Sequence, residues 1–252
     1  MATEQKHQYP YEEIDLPSGG KLYSKDSPLH SGTIDIKYMT AKEEDILTSQ
    51  NLIKKGVVLD HLLDSLILTD GIKGSNLFVG DKNAVLIAAR ILAYGSDYTV
   101  GLVDPDTDED IEHTFNLSEL PYRELPDDVD YSKNEFEFEL PVSKSKVIFK
   151  LLTGKDEEAI VEEMDALAKL GSNITRTITT RLKHCIISVN DEVDRLKVNL
   201  FIDNMLSRDS LALRGYMSNI TPDIEMVQTV DINGVEREVS VPMELSFFWP
   251  SS

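Results

Sequence analysis

The spacing of the apolar residues changes several times along this chain, and that change constrains the fold more than any other feature. In some short segments they recur at every second residue, which is typical of strands. In longer segments they recur every three to four residues, which is typical of helices. Glycine and proline separate the segments. The pattern predicts an α+β fold in which a β-rich N-terminal arm and hairpins combine with a multi-helix core of about six to seven helices, followed by a C-terminal β-hairpin.

Residues 1–10 are polar and carry no periodic pattern, which predicts a flexible tail. Residues 11–125 are predicted to form an N-terminal α/β domain. It should begin with an extended arm, because glycines and prolines interrupt the sequence as far as Gly32 and only residues 33–38 alternate as a strand does.

Two amphipathic helices should follow the arm as a helical hairpin. Thr40 and Glu43 match a capping box, in which a threonine side chain and a glutamate side chain satisfy the first backbone N–H groups of a helix. The first helix is expected to continue to about residue 55, where Gly56 would end it in a left-handed conformation. The second is expected over residues 57–68.

Asp81 is predicted to cap a third helix over residues 82–94. Strands are expected at 97–103 and 111–117. Proline and aspartate then become frequent, and residues 126–134 are predicted to be a linker between two domains.

Residues 135–252 are predicted to form a mainly helical C-terminal domain that ends in a β-hairpin. Asn233 and Gly234 are the strongest hairpin signal in the chain, because both tolerate the positive φ of a type I′ turn. The other expected elements are a strand at 135–140, a helix that begins at Thr153 or Asp156 and continues to 170, and helices at 174–189, 195–206 and 207–220. The Thr-rich, β-branched content of 174–189 weakens the helical pattern there.

The charge balance argues against nucleic acid as a partner. Lys and Arg number 25 against 45 Asp and Glu, which gives a formal charge of −20, and such a surface repels phosphate backbones. The same charge favours electropositive protein partners, which it would attract over a distance.

The chain has one cysteine, Cys185, so an internal disulfide is excluded and a reducing compartment is the simplest expectation. Its N-terminus has no apolar segment of the secretory type, and no apolar run approaches the roughly 20 residues that span a bilayer. We therefore expect no membrane association.

No motif indicates an enzyme or a cofactor. Gly20-Lys21 and Gly154-Lys155 lack the earlier glycine and the following Ser or Thr of a phosphate-binding loop. The five histidines are isolated from each other, and Cys185 is expected to be a buried core thiol and not a nucleophile. We accordingly predict no catalytic, cofactor-binding or metal-binding residue.

An acidic turn, DPDTDED at 104–110, matches part of the calcium-binding loop motif. Asp104, Asp106 and Asp108 fit its first, third and fifth positions, but Glu109 and Phe115 replace the required glycine and the bidentate glutamate. An acidic hairpin tip is the preferred interpretation, and weak cation binding at roughly millimolar concentration stays open as the alternative.

Four blocks of sequence resemble the baseplate hub assembly proteins of T4-type contractile-tailed bacteriophages. They occur in the family's order, and they are LPSGGKLYSKDSPLHSGTIDIKYMTAKEEDILTS at 16–49, GDKNAVLIAARILAYGSDYTV at 80–100, LLTGKDE at 151–157 and FFWP at 247–250. Some members carry a Cys-rich, zinc-knuckle-like turn where this chain has DPDTDED, so the resemblance does not extend to that turn and leaves its metal role open.

The resemblance implies a late phage protein that helps to build the baseplate hub, either as a chaperone or as a minor component. Its expected location is the host cell cytoplasm, with the virion baseplate as a second location. Its partners would be other baseplate or hub proteins. A permanent structural subunit of the baseplate is the alternative, and a hub-associated hydrolase is a remote one.

The arm at 16–38 and the helix pair at 41–68 are the hypothesised protein-binding surface, because an extended arm can add a strand to a partner's sheet. The aromatic C-terminus is expected to dock into the chain's own core, with anchoring of a partner as the alternative. The candidate partner-binding residues are Leu16, Pro17, Leu22, Tyr23, Pro28, Leu29, Ile34, Ile36, Phe247, Phe248 and Trp249.

Overall fold

The computed structural model describes residues 9–103, 107, 110–169, 176–243 and 245–248, with the side chains of 245 and 246 left aside. In these residues eight α-helices combine with four small antiparallel sheets, which confirms the α+β prediction. The count exceeds the six to seven helices expected because one predicted helix is divided. No helix in the described ranges is both long enough and apolar enough to cross a bilayer.

The N-terminal arm folds back on itself. Strand β1 (Tyr11–Asp15) pairs antiparallel with β2 (Thr33–Lys37), and a 3-10 helical turn at Pro28–Ser31 lies in the loop between them. Gly20, at φ +76°, makes this possible, because a Cβ there would lie 2.5 Å from the carbonyl oxygen of His30. The sequence predicted β2 but not its partner β1.

The helix predicted up to residue 55 is divided into α1 (Ala41–Thr48) and α2 (Gln50–Lys55). Ser49 between them has ψ 102°, an extended conformation that interrupts the helical hydrogen bonds. Gly56 ends α2 at φ 70°, as predicted. Helix α3 (Val58–Leu66) follows and contacts α1.

Helix α4 (Val79–Tyr94) begins earlier than predicted, and Asp81 is not its cap. Phe78 occupies the capping position, where its backbone N–H donates to the Tyr23 hydroxyl. The Asp81 carboxylate is bound by the N-terminal arm, and it is therefore engaged away from the helix amides.

Two hairpins contribute to the same half of the molecule. Strands β3 (Asp97–Val103) and β4 (Asp110–Asn116) pair with Asp97 opposite Asn116. Strands β8 (Val227–Ile232) and β9 (Val235–Ser240) are joined by Asn233 and Gly234 at φ 53° and 84°, which confirms the predicted turn.

The remaining sheet has three strands in the order β5 (Phe136–Glu139), β6 (Lys146–Phe149) and β7 (Ile186–Val189). Four helices accompany it: α5 (Gly154–Lys169), α6 (Thr177–Cys185), α7 (Arg195–Asp203) and α8 (Ser207–Ile220). The helix predicted over 174–189 was wrong in its second part. The chain leaves helical geometry after Cys185 because the β-branched residues of β7 pair with β6.

Buried apolar side chains form two main cores. The first combines β2, α3 and α4 with the two hairpins, and the second lies between the three-stranded sheet and helices α6 to α8. Tyr131, from the predicted linker at 126–134, is buried in the second core, and its hydroxyl donates to the carbonyl of Ile220 at 2.9 Å. The placement of a domain boundary there stays a prediction.

Candidate functional site

Most of the side chains that the sequence suggested for partner binding lie inside the protein. Tyr23 is half-buried, Pro28 is exposed, and Trp249 lies outside the described residues. The other eight are buried: Leu16, Pro17, Leu22, Leu29, Ile34, Ile36, Phe247 and Phe248. Leu22 belongs to the second core. Six of the others belong to the first core: Leu16, Leu29, Ile34, Ile36, Phe247 and Phe248. These side chains stabilise the chain's own fold, and their contact with a partner stays a prediction.

A buried carboxylate, Asp81, fastens the N-terminal arm to helix α4. It accepts hydrogen bonds from the backbone N–H of Ser18 at 2.9 Å, from the Ser18 hydroxyl at 2.8 Å and from the Tyr23 hydroxyl at 2.7 Å. Burial raises the pKa of Asp81 and outweighs the lowering effect of these hydrogen bonds. Burial also raises the pKa of Tyr23. The donors and acceptors of this cluster are used within the fold, so we assign it a structural role.

A second buried carboxylate, Glu43, joins strand β2 to helices α1 and α3. It accepts from Lys37 Nζ at 2.7 Å, from Ser65 Oγ at 2.6 Å and from the backbone N–H of Thr40 at 2.9 Å, the last being part of the predicted capping box. Burial raises the pKa of Glu43, but the hydrogen bonds from these three residues prevail and lower it to about 2. At neutral pH the buried negative charge is therefore matched by Lys37.

The C-terminal segment is held in the first core. Phe247 and Phe248 are buried, and the Phe247 ring packs edge-on against Tyr98 with 4.9 Å between centroids. The buried guanidinium of Arg90 donates through Nε to the carbonyl of Phe247 at 2.9 Å and through Nη1 to that of Gly95 at 3.1 Å. The predicted docking of the terminal aromatic residues into the chain's own core is confirmed for these two phenylalanines.

An apolar cavity of about 460 Å³ opens between α5, α6 and α8, with Ile178, Leu182, Cys185 and Met217 in its wall. Cys185 is buried, and burial raises the pKa of its thiol to about 12. The thiolate that nucleophilic attack requires is therefore disfavoured at neutral pH. A wall of this kind is suited to holding an apolar side chain.

The described residues bring no three His, Cys, Asp or Glu side chains together in an arrangement that could hold a metal ion. His184 instead faces Glu163 on α5, with 3.0 Å between Nε2 and the carboxylate. Most of the acidic turn at 104–110 lies outside the described residues.

Helix α7 carries apolar side chains on two opposite sides. Val198 and Ile202 are buried in the second core. Leu196 and Leu200 lie one turn apart on the other side and are 82% and 65% exposed, and Val193, directly before the helix, is 66% exposed. We call Val193, Leu196 and Leu200 the α7 ridge. Scattered exposed leucines are ordinary on protein surfaces, but neighbouring ones on a rigid helix are typical of a protein-binding site.

The charge around the α7 ridge differs from that of the rest of the chain. Residues 176–221 contain seven Lys and Arg and five Asp and Glu, whereas the remaining residues contain 18 and 40. The same stretch holds two further exposed leucines, Leu206 and Leu211. The net charge of this stretch is thus +2, and its apolar groups face approaching proteins without the repulsion expected from the chain as a whole.

A comparison with known families identifies the kind of protein that carries this surface. The family model described as T4 bacteriophage base plate protein matches residues 8–248, nearly the whole chain. The chain belongs to this family. No curated protein and no solved structure is significantly similar to it. Membership means that it is a bacteriophage baseplate protein.

The α7 ridge of this baseplate protein was missed by the sequence reasoning, which predicted a helix over 195–206 with a single apolar stripe. A signal was present. Leucines at 196 and 200 and apolar residues at 198 and 202 fall on opposite sides of a helix. A helix that packs on a single core buries only one apolar side, so the second apolar side indicates a further contact surface.

Proposed function

We propose that this baseplate-family protein is a hub assembly protein, that it acts by binding another structural protein of the baseplate, and that it catalyses no reaction. The observation that carries the proposal is the α7 ridge: two exposed leucines on a helix whose opposite side is anchored in the second core, and an exposed valine directly before that helix. The family supports the class of partner, because a baseplate is built from contacts between phage structural proteins.

The energetics favour a covered state for this ridge. Burying a large apolar side chain contributes about 1.5–3 kcal/mol relative to leaving it in water. Leu196 and Leu200 gain little of this in the isolated chain, since most of their surface remains exposed. The backbone of a folded helix is already ordered, so binding through it avoids the cost of ordering a loop, and only the usual loss of translational and rotational freedom and of side-chain rotamers offsets the burial.

Charge further defines the surface that would bind. The stretch at 176–221 has a net charge of +2, so a neutral or acidic face of a partner meets no repulsion there. The acidic remainder of the chain would repel a strongly acidic partner in any other orientation. The two parts together would favour docking through α7.

The test is a double substitution, Leu196→Lys with Leu200→Lys, in a tagged copy that is the only source of the protein during infection. We expect the variant to fold, because both side chains are exposed, and to lose its baseplate partner, with an apparent Kd raised at least about 30-fold if the pair is a hot spot. The measurement is the amount of each baseplate protein that co-purifies with the tagged chain.

Val161→Lys is the matched control, since Val161 is a half-exposed apolar residue on helix α5 in the acidic part of the chain. It should recover the partner as the unchanged protein does. Equal recovery with the ridge variant and with this control would contradict the proposal.

The alternative function, a permanent structural subunit, predicts the same contact but a different fate. A chaperone-like assembly protein should be absent from purified tails, whereas a subunit should be present at a fixed copy number. Quantitative mass spectrometry of purified tails separates the two.

A further inference from the structure

The two hairpins of the first core each remain two-stranded. Within the described ranges, β3 is neighboured only by β4, and β9 only by β8. Both hairpins direct side chains into the same core, including Leu102 from β3 and Val239 from β9. An edge strand without a neighbour presents backbone N–H and C=O groups and is a template for another strand.

A groove of about 580 Å³ separates the two hairpins. Its walls include Leu102 and Val103 of β3 and the consecutive residues 236–240 of β9. Successive side chains of a strand point to opposite faces, so a wall made of consecutive residues follows the edge of the strand. The groove therefore runs along the edges of β3 and β9.

The register of the hairpin shows which backbone groups of β9 face this groove. Ile232 and Val235 flank the two-residue turn and form the hydrogen-bonded pair that closes it. Hydrogen-bonded and non-hydrogen-bonded pairs alternate along an antiparallel ladder. Glu236 and Glu238 are therefore in non-hydrogen-bonded pairs, and their backbone N–H and C=O groups point away from β8, toward the edge.

The charges near the groove select the kind of strand that fits. Glu236 and Glu238 are exposed on one face of β9, whereas Arg237 between them also lines the groove but is half-buried on the opposite face of the strand. An entering strand with Lys or Arg side chains would be attracted, and an acidic one would be repelled.

We propose that the groove between β3 and β9 binds an extended, basic segment of another protein as an added β-strand. Its backbone pairs with the edge of β9, and its basic side chains lie near Glu236 and Glu238. A strand residue in a sheet occupies about 160 Å³, from its rise and the spacings between strands and sheets, so the groove accommodates about four residues. This site is separate from the α7 ridge and does not depend on the proposed hub assembly function.

The experiment measures binding of a fluorescein-labelled peptide of alternating lysine and valine, six residues long, to the full chain by fluorescence anisotropy. The comparison peptides have glutamate in place of lysine, or a central proline in place of one valine. We expect saturable binding of the lysine peptide alone. No binding of that peptide, or equal binding of the glutamate or proline peptide, would overturn the proposal.

Two proline variants then test the binding edge. Glu238→Pro removes an N–H that faces the groove and spares the ladder to β8, so one backbone hydrogen bond to the peptide is lost and binding should weaken about 5- to 10-fold. Thr229→Pro is the matched control, because Thr229 lies directly opposite Glu238 in the register and its N–H faces the other edge of the hairpin. It should leave binding unchanged.

Circular dichroism and thermal melting serve as the check that both proline variants are folded. Amide exchange at Glu236 and Glu238 should slow when the peptide is bound, in the unchanged protein and in Thr229→Pro alike, and this gives a readout that does not depend on Glu238→Pro. Undiminished binding by Glu238→Pro, or unchanged exchange at these two amides, would overturn the proposal. The Leu196→Lys/Leu200→Lys variant should bind the peptide normally, so failure here is distinct from failure of the proposed function.

Discussion

Replacement of Phe247 by alanine should destabilise the fold strongly, because the structure makes this residue part of the first core and not an anchor for a partner. Its side chain is fully buried. The ring packs edge-on against Tyr98 with 4.9 Å between centroids and against Phe248 with 5.3 Å. Arg90 holds the backbone at the same residue.

These contacts set the expected magnitude. Truncation of a buried phenylalanine to alanine costs about 3–5 kcal/mol, and each edge-on aromatic pair adds about 0.5–1.5 kcal/mol beyond the buried area. The measured range already includes the neighbours of each ring, so the two pairs place Phe247→Ala in its upper part, and we expect a decrease of about 4–5 kcal/mol in the free energy of unfolding. The backbone hydrogen bond from Arg90 survives the substitution and limits further loss.

Urea denaturation followed by far-UV circular dichroism measures this effect. At an m value of about 2.5 kcal/mol per M, the midpoint should fall by roughly 2 M. Leu196→Ala is the control and should change the free energy of unfolding by less than about 0.5 kcal/mol, since that side chain is mostly exposed. A change below about 1 kcal/mol for Phe247→Ala would refute the docking of the C-terminus into the core.

Two further perturbations test the packing of the first core. Gly80→Ala should destabilise the protein by several kcal/mol, because the new Cβ would lie 1.8 Å from the Pro222 carbonyl oxygen. Gly215→Ala on helix α8 is the control: the new Cβ meets open space, and the protein should become about 1 kcal/mol more stable. Thermal melts that show similar effects for both variants would contradict this. Glu43→Gln should cost about 3–5 kcal/mol at neutral pH by leaving Lys37 buried without its counter-charge. Because the pKa of Glu43 is lowered from 4.5 to about 2, its stabilising effect is complete above pH 4.5 and is lost as the pH falls toward 2. Glu43→Gln should lack this part of the acid transition. Identical curves of unfolding free energy against pH for the variant and the unchanged protein would argue against the ion pair.

Local signals in the sequence were sufficient for many elements. The Asn233-Gly234 hairpin and the left-handed Gly56 follow from backbone conformations that few other residues adopt, and both are present. Strand β1 could not be predicted in the same way. Its residues YEEID are mostly exposed, and the strand exists because β2 offers a partner edge. Pairing of this kind depends on distant residues and leaves little local pattern.

The role of Asp81 shows the same limit at a single residue. Its place before an apolar helical segment is typical of a cap, and capping is a local interaction. In the folded chain Ser18 and Tyr23, about sixty residues earlier, supply the hydrogen bonds instead. Likewise, the hydrophobic arm residues that suggested partner binding are apolar because they fill the core, and sequence alone does not distinguish those two uses.

Site-specific photo-crosslinking tests the central claim most directly. A photoreactive amino acid at Leu200, on the α7 ridge, and another at Glu162, an exposed position on α5, would be activated in infected cells during tail assembly. We expect the probe at position 200 to form a covalent adduct with another baseplate protein, identified by mass spectrometry, and the probe at position 162 to form none. An adduct only at 162, or the absence of any adduct at 200 while tails assemble normally, would contradict a function exerted through the α7 ridge.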